Sequence, residues 1–164
     1  MSESHWTVLS RGDRVHGHTW KPALRGPHPV VILCSPDPEW LGRARAAWSP
    51  RTALASFDLP LHGARKSDKL SAAALDPSHS LGARLRADLE AQLASDLSAV
   101  IAQLRSDPEL DPARISLVAV GIGADWARAF AAQAQGLSQV ELAPGVTLPD
   151  ERWLRSMGEK LGAP

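Results

Sequence analysis

The sequence predicts an α/β domain, a mostly parallel sheet between two helical layers, entered through an antiparallel hairpin. Three observations carry that prediction. Continuous apolar runs at residues 30–34, 52–57 and 115–120 are each bounded by turn residues, as in strands buried on both faces of a parallel sheet. A long helical stripe separates the second and third runs, so strand and helix alternate and right-handed crossovers place helices on both faces. The opening twenty residues instead alternate around a Gly-Asp turn, which reads as a hairpin at one edge.

In chain order, residues 6–10 and 15–20 form that hairpin, with Gly12-Asp13 at the centre of its turn. A loop rich in Pro and Gly, residues 22–29, delivers the chain into Val30-Val31-Ile32-Leu33-Cys34, and Pro36-Asp37-Pro38 stops that strand. A short helix over residues 39–47 precedes the next buried run, which ends at Asp58-Leu59-Pro60. Residues 59–80 make a long polar connection. From Ala83 to Arg105, Leu85, Leu89, Leu93, Leu97, Val100, Ile101 and Leu104 recur every three or four residues, the single apolar stripe of an amphipathic helix. Asp107-Pro108 and Asp111-Pro112 break it before the run at 115–120. Gly121-Ile122-Gly123 turns tightly into a helix over residues 125–133, with Trp126, Phe130 and Ala134 on its buried face. The run from Leu137 to Leu142 is a fourth candidate strand. A final helix spans residues 149–161, with Pro149 in its first turn, Gly162 at its end, and Trp153, Leu154, Met157 and Leu161 on one side.

At 164 residues the chain suits one domain over its whole length, and its 44% hydrophobic and 22% charged content is that of a globular protein rather than a disordered one. Eighteen basic residues balance eighteen acidic ones, so no global field attracts nucleic acid or an anionic membrane. The single Cys34 excludes an intramolecular disulfide and a cysteine-rich zinc site. With no apolar run of membrane-spanning length and no secretory leader pattern, a cytoplasmic location is expected.

In open parallel sheets, ligands bind outside the carboxyl ends of the strands. Four loops lie there: Cys34 to Asp37, Asp58 to Gly63, Gly121 to Gly123, and Ala143 to Gly145. They supply the candidate binding residues Ser35, Asp37, His62, Gly121, Ile122 and Asp125.

The order of hairpin, buried strand Pro29-Val30-Val31-Ile32-Leu33, segment Asp58-Leu59-Pro60-Leu61-His62-Gly63, long helix, and strand ending in Gly121-Ile122-Gly123 resembles the α/β-hydrolase superfamily. It is most similar to the dienelactone-hydrolase-like and peptidase-like esterases, over about Gly12 to Gly145. The resemblance implies a three-layer αβα domain, a shortened version of that fold. It also implies a serine nucleophile on a strand-to-helix elbow of G-x-S-x-G pattern.

Here the matching stretch is Ala119-Val120-Gly121-Ile122-Gly123, with Gly121 where the serine would stand, and no Ser or Cys occupies such a frame elsewhere. The loop that helps form the family's oxyanion hole contains Ser35-Pro36, and proline has no N–H to donate. No histidine follows Gly145, where the resemblance would place the triad histidine. No catalytic residue is therefore expected, with Cys34 or Ser35 as nucleophile and His62 as base the only substitutes. Cys34 at a strand end reads more simply as a small buried hydrophobe, and His62 as part of a structural turn.

Other patterns point to blander roles. Gly121-Ile122-Gly123 imitates a dinucleotide fingerprint, but Trp126 falls where the third glycine should be. His16 and His18 share a strand face without an evident third ligand, so no metal is expected, nor any other cofactor. Arg65, Lys66 and Lys69 read as a solvated basic loop, and Trp40, Trp48 and Trp126 as core and rim residues. Trp153 reads as a plug or an interface anchor where further strands would lie.

The expected function is that of a pseudo-hydrolase, a binding or interaction protein. The alternative is an ester or lactone hydrolase with residual activity or completed by a partner chain. Expected partners are a second copy or another protein along the sheet edge near Leu137 to Leu142, and a small acyl or aromatic ligand. Neither nucleic acid nor membrane is expected.

Overall fold

The computed structural model describes residues 1–70, 80–133, 136–145 and 147–162. Its six strands are β1 (Ser2–Ser10), β2 (Asp13–Lys21), β3 (His28–Cys34), β4 (Ala53–Phe57), β5 (Leu110–Val120) and β6 (Gln139–Ala143). Among the described residues the helices include α1 (Pro38–Ala47), α2 (Ser80–Arg105), α3 (Ile122–Gln133) and α4 (Glu151–Gly162), with a 3₁₀ turn at Gly63–Arg65. They form one sheet in the order β1-β2-β4-β3-β5-β6. The pairs β1/β2 and β2/β4 are antiparallel, whereas β4/β3, β3/β5 and β5/β6 are parallel. The α/β class, the mostly parallel sheet and the edge hairpin are as the sequence predicts.

Strand pleating divides the interior into two cores. Val30, Ile32 and Cys34 of β3, with Ile115, Leu117 and Ala119 of β5, face a core closed by Leu89, Leu93, Leu97 and Leu104 of α2 and Trp126 of α3. Val31 and Leu33, with Val118 and Val120, face the other, closed by Trp40 and Ala44 of α1 and Leu154, Met157 and Leu161 of α4. Trp40, Trp48 and Trp126 are all buried, as their reading as core residues anticipates. No described helix is long and apolar enough to cross a membrane.

Four expectations change. The hairpin turn centres on Arg11-Gly12, not Gly12-Asp13: Ser10 pairs with Asp13, and both central residues have positive φ, 49° and 81°. This is the mirror-image turn that suits the twist of a two-residue hairpin. The last helix begins at Glu151, because Asp150 caps it by accepting from Trp153 N at 3.0 Å. Pro149 precedes the helix, its carbonyl accepting from the Trp40 indole at 3.0 Å. Trp153 packs half-buried on the second core, so α4 covers a face of the sheet instead of plugging its edge. Finally, β5 begins at Leu110, through a register irregularity, where the sequence places a break. Asp111 holds that irregularity, accepting from Arg114 Nε at 2.7 Å and Ala113 N at 3.0 Å. The Arg114 bond, followed by the backbone one, keeps the Asp111 carboxyl below its ordinary value. Ala134 and residues 71–79 of the expected polar connection lie outside the described residues.

Candidate functional site

The carboxyl edge is centred on the turn from β5 into α3. Gly121 holds φ +58° there, in the left-handed region that glycine enters without the penalty of a side chain. The elbow is pinned on both sides: Gly121 N donates to Ala143 O at 2.9 Å, and its carbonyl accepts from Ala124 N at 3.0 Å. Gly123 is required by packing. A Cβ at this position would stand 2.8 Å from Cys34 O and 3.2 Å from Cys34 Sγ, so the first turn of α3 can lie against the end of β3 only without a side chain.

Leu148 crowds the space above the elbow. A Cβ at Gly121 would approach Leu148 Cδ2 to 2.9 Å, Gly145 O to 3.6 Å and Pro36 Cγ to 3.7 Å. Leu148 is therefore a site residue that sequence reasoning missed. It lies in an irregular loop with no motif, and only the return of the chain from β6 brings it over Gly121.

The other candidate residues are engaged locally. Ser35 is buried, and its hydroxyl accepts from Asp37 N at 3.2 Å. The Asp37 carboxylate caps α1, accepting from Glu39 N at 2.8 Å. Asp125 faces Arg128 at 3.5 Å, one turn along its own helix. Ile122 is half-buried against the first core. Cys34 is fully buried, and burial, with a smaller contribution from the Asp96 carboxylate, pushes its thiol far above the ordinary value. A thiol so held carries no thiolate near neutral pH and is a poor nucleophile.

His62 sits on the loop after β4, where Leu61 and Gly63 have positive φ, 61° and 55°. Its Nδ1 lies 2.8 Å from Pro60 O. Because a carbonyl can only accept, Nδ1 is the donor and carries a proton. The ring stands edge-on to Trp126 at 6.0 Å. Of the substitute nucleophile and base, Ser35 turns to the α1 cap, Cys34 is sealed in the core, and His62 is held by Pro60 and Trp126.

The same loop corrects the reading of Arg65 as solvated. Its side chain is 6% exposed and donates to Asp96 Oδ2 at 2.6 Å, Asp58 O at 3.1 Å and Asp13 Oδ2 at 2.8 Å. Asp58 in turn fills the place of a Gly63 side chain and accepts from Ala64 N at 3.0 Å. The segment from Asp58 to Arg65 is thus a self-braced turn tied to β2 and α2. Lys66 and Lys69 are exposed, as a solvated loop requires.

No family model matches the sequence, and no curated protein does. Solved structures do. A protein designated m3DLH superposes with a TM-score of 0.68 at 20% identity, over 92% of this chain and 63% of that one. The α/β hydrolase GrgF from Penicillium sp. sh18 gives 0.64 at 16% identity, over 88% and 46%. A cold-adapted esterase from an Arctic intertidal metagenomic library gives 0.60 at 15% identity, over 84% and 56%. The chain spans less than two thirds of each of these structures. With its mixed sheet, two helical layers and glycine elbow after β5, the chain has the α/β-hydrolase fold.

Proposed function

We propose that this chain acts by binding rather than by hydrolysis, as a pseudo-hydrolase whose elbow no longer carries a nucleophile. The observation that carries this reading is Gly121: the apex of the elbow offers no reactive atom, and the Leu148 methyl occupies the space into which a side chain would project. Two features support it. Pro36 flanks the apex without an N–H, which removes a donor from the loop that would stabilise an oxyanion. Cys34, the strongest alternative nucleophile by chemistry, is buried and held in its neutral form. Asp37, His62, Ile122 and Asp125 are partly exposed and are the residues through which a small acyl or aromatic ligand is engaged, while a protein partner is engaged along the sheet edge near Leu137 to Leu142.

The test is turnover of p-nitrophenyl acetate, together with labelling by a fluorophosphonate probe. The expected result is hydrolysis no faster than in buffer and no labelled protein. Turnover abolished by Cys34→Ala, Ser35→Ala or His62→Ala overturns the reading and favours a residual ester hydrolase.

A further inference from the structure

The outer face of the hairpin carries a cluster unrelated to the carboxyl edge. His5 and His18 are directly opposed in the β1/β2 register, and Glu3 lies two residues before His5, on the same face. The pleat therefore gathers two imidazoles and one carboxylate. His18 Nδ1 lies 3.2 Å from Glu3 Oε1, and His5 Nε2 lies 3.7 Å from the same oxygen. One donor atom from each of the three residues falls within 4.8 Å of the others.

The geometry points to a divalent transition-metal site made by Glu3, His5 and His18, of the kind that takes Zn²⁺, Ni²⁺ or Cu²⁺. Donor atoms around such an ion sit about 2.0–2.2 Å from the metal, hence roughly 3.0–3.5 Å from one another. The donor atoms, within 4.8 Å of one another on side chains that are exposed or half-exposed, lie close to that spacing. Two imidazoles with one carboxylate favour borderline transition metals over Mg²⁺ and Ca²⁺, which take oxygen shells. Three protein ligands leave coordination positions for water.

Surrounding groups orient the ligands. The His18 ring stacks on Trp20, with centroids 5.8 Å apart and planes 10° from parallel. Arg45 lies 4.0 Å from Glu3 Oε2, the carboxylate oxygen not directed at the histidines, and its guanidinium sits over the Trp20 ring at 5.4 Å. Such support fixes donor orientation, although the nearby positive charge weakens affinity for a cation. The third ligand that the pair His16 and His18 lacks is supplied across the hairpin, where Glu3 and His5 join His18. His16 is on the same face, but its Nδ1 is taken by Thr7 Oγ1 at 3.0 Å.

The test is calorimetric titration of the untagged protein with ZnCl₂ and NiCl₂ in a non-coordinating buffer, alongside histidine-ring NMR. One bound ion per chain is expected, with the ring resonances of His5 and His18 shifting and those of His16 unchanged. His5→Ala, His18→Ala and Glu3→Gln should each weaken binding by more than the ~10–100-fold typical of losing a supporting residue. His16→Ala should leave binding unchanged. Absence of binding at millimolar metal overturns the assignment, as does a shift of the His16 resonances equal to those of His5 and His18. The NMR readout on the unaltered protein decides the matter even if a variant misfolds.

Discussion

Arg65 reaches Asp96 across 2.6 Å, and Asp96 is wholly buried on α2. Gln92 Nε2 satisfies the other carboxylate oxygen at 2.8 Å, and the remaining Arg65 nitrogens bond Asp13 near the hairpin turn. One guanidinium therefore ties together β2, the loop after β4, and α2. Removing it leaves a buried carboxylate without its cation, which costs about 3–5 kcal/mol. Arg65→Ala is expected to lower stability by that amount in urea denaturation, and Arg65→Lys by somewhat less, since an ammonium cannot span three acceptors.

At the elbow, Gly121→Ser meets two penalties: a side chain at positive φ, and the Leu148 methyl. The expected loss is about 1–3 kcal/mol. Leu148→Ala removes the steric part, so the double variant should be less destabilised than the sum of the two singles. Additive thermal denaturation data would contradict the proximity of these two positions. Esterase turnover should not appear in the double variant, because a serine there still lacks a donor from Pro36.

Cys34 sets an alkaline limit. Its folded-state value lies above the ordinary 9.0, so above that pH the unfolded chain releases a proton that the folded one retains. Stability should then fall with rising pH by up to about 1.4 kcal/mol per unit from this group. Lys21 also titrates above its ordinary value. Burial opposes its charge, but Asp107 and Glu109, at 2.7 and 2.6 Å, outweigh that opposition. Its contribution is therefore lost only at still higher pH. Comparing the slopes for the native chain and Cys34→Ala between pH 8 and 10, roughly the range around an ordinary thiol value, isolates the thiol. Native protein should also resist Ellman's reagent until unfolded.

Gly17 marks a close approach within the hairpin. Trp6 is its cross-strand partner, and a Cβ at Gly17 would lie 2.1 Å from the indole carbon Cη2. The indole N–H is anchored to Thr19 Oγ1 at 2.8 Å, so the ring cannot simply slide aside. Gly17→Ala is expected to cost about 1–3 kcal/mol and to change Trp fluorescence as the ring is displaced.

The buried strands were legible as continuous apolar runs between turn residues, and α2 by the three- or four-residue spacing of its apolar stripe. What escaped the sequence was long-range. Arg65 looks solvated until α2 brings Asp96 beside it. Leu148 has no motif and matters only through the path of the loop after β6. Glu3 and His5 become ligand candidates only once strand register opposes His5 to His18. The hairpin turn was displaced by one residue because Arg11 takes a positive φ that local turn chemistry disfavours for it, and only the pairing of Ser10 with Asp13 reveals the turn's true centre.

The segment from Asp58 to Arg65 is the most recognisable stretch of the chain, and its parts are mechanical. Asp58 braces Gly63, Leu59 is buried in the first core, and Arg65 bolts the turn to a helix and a hairpin. Each of these tasks is structural, and none of them involves a reacting group. A motif that earns its place by holding architecture together identifies relatives by shape, and it carries no information about whether a bond is ever broken beside it.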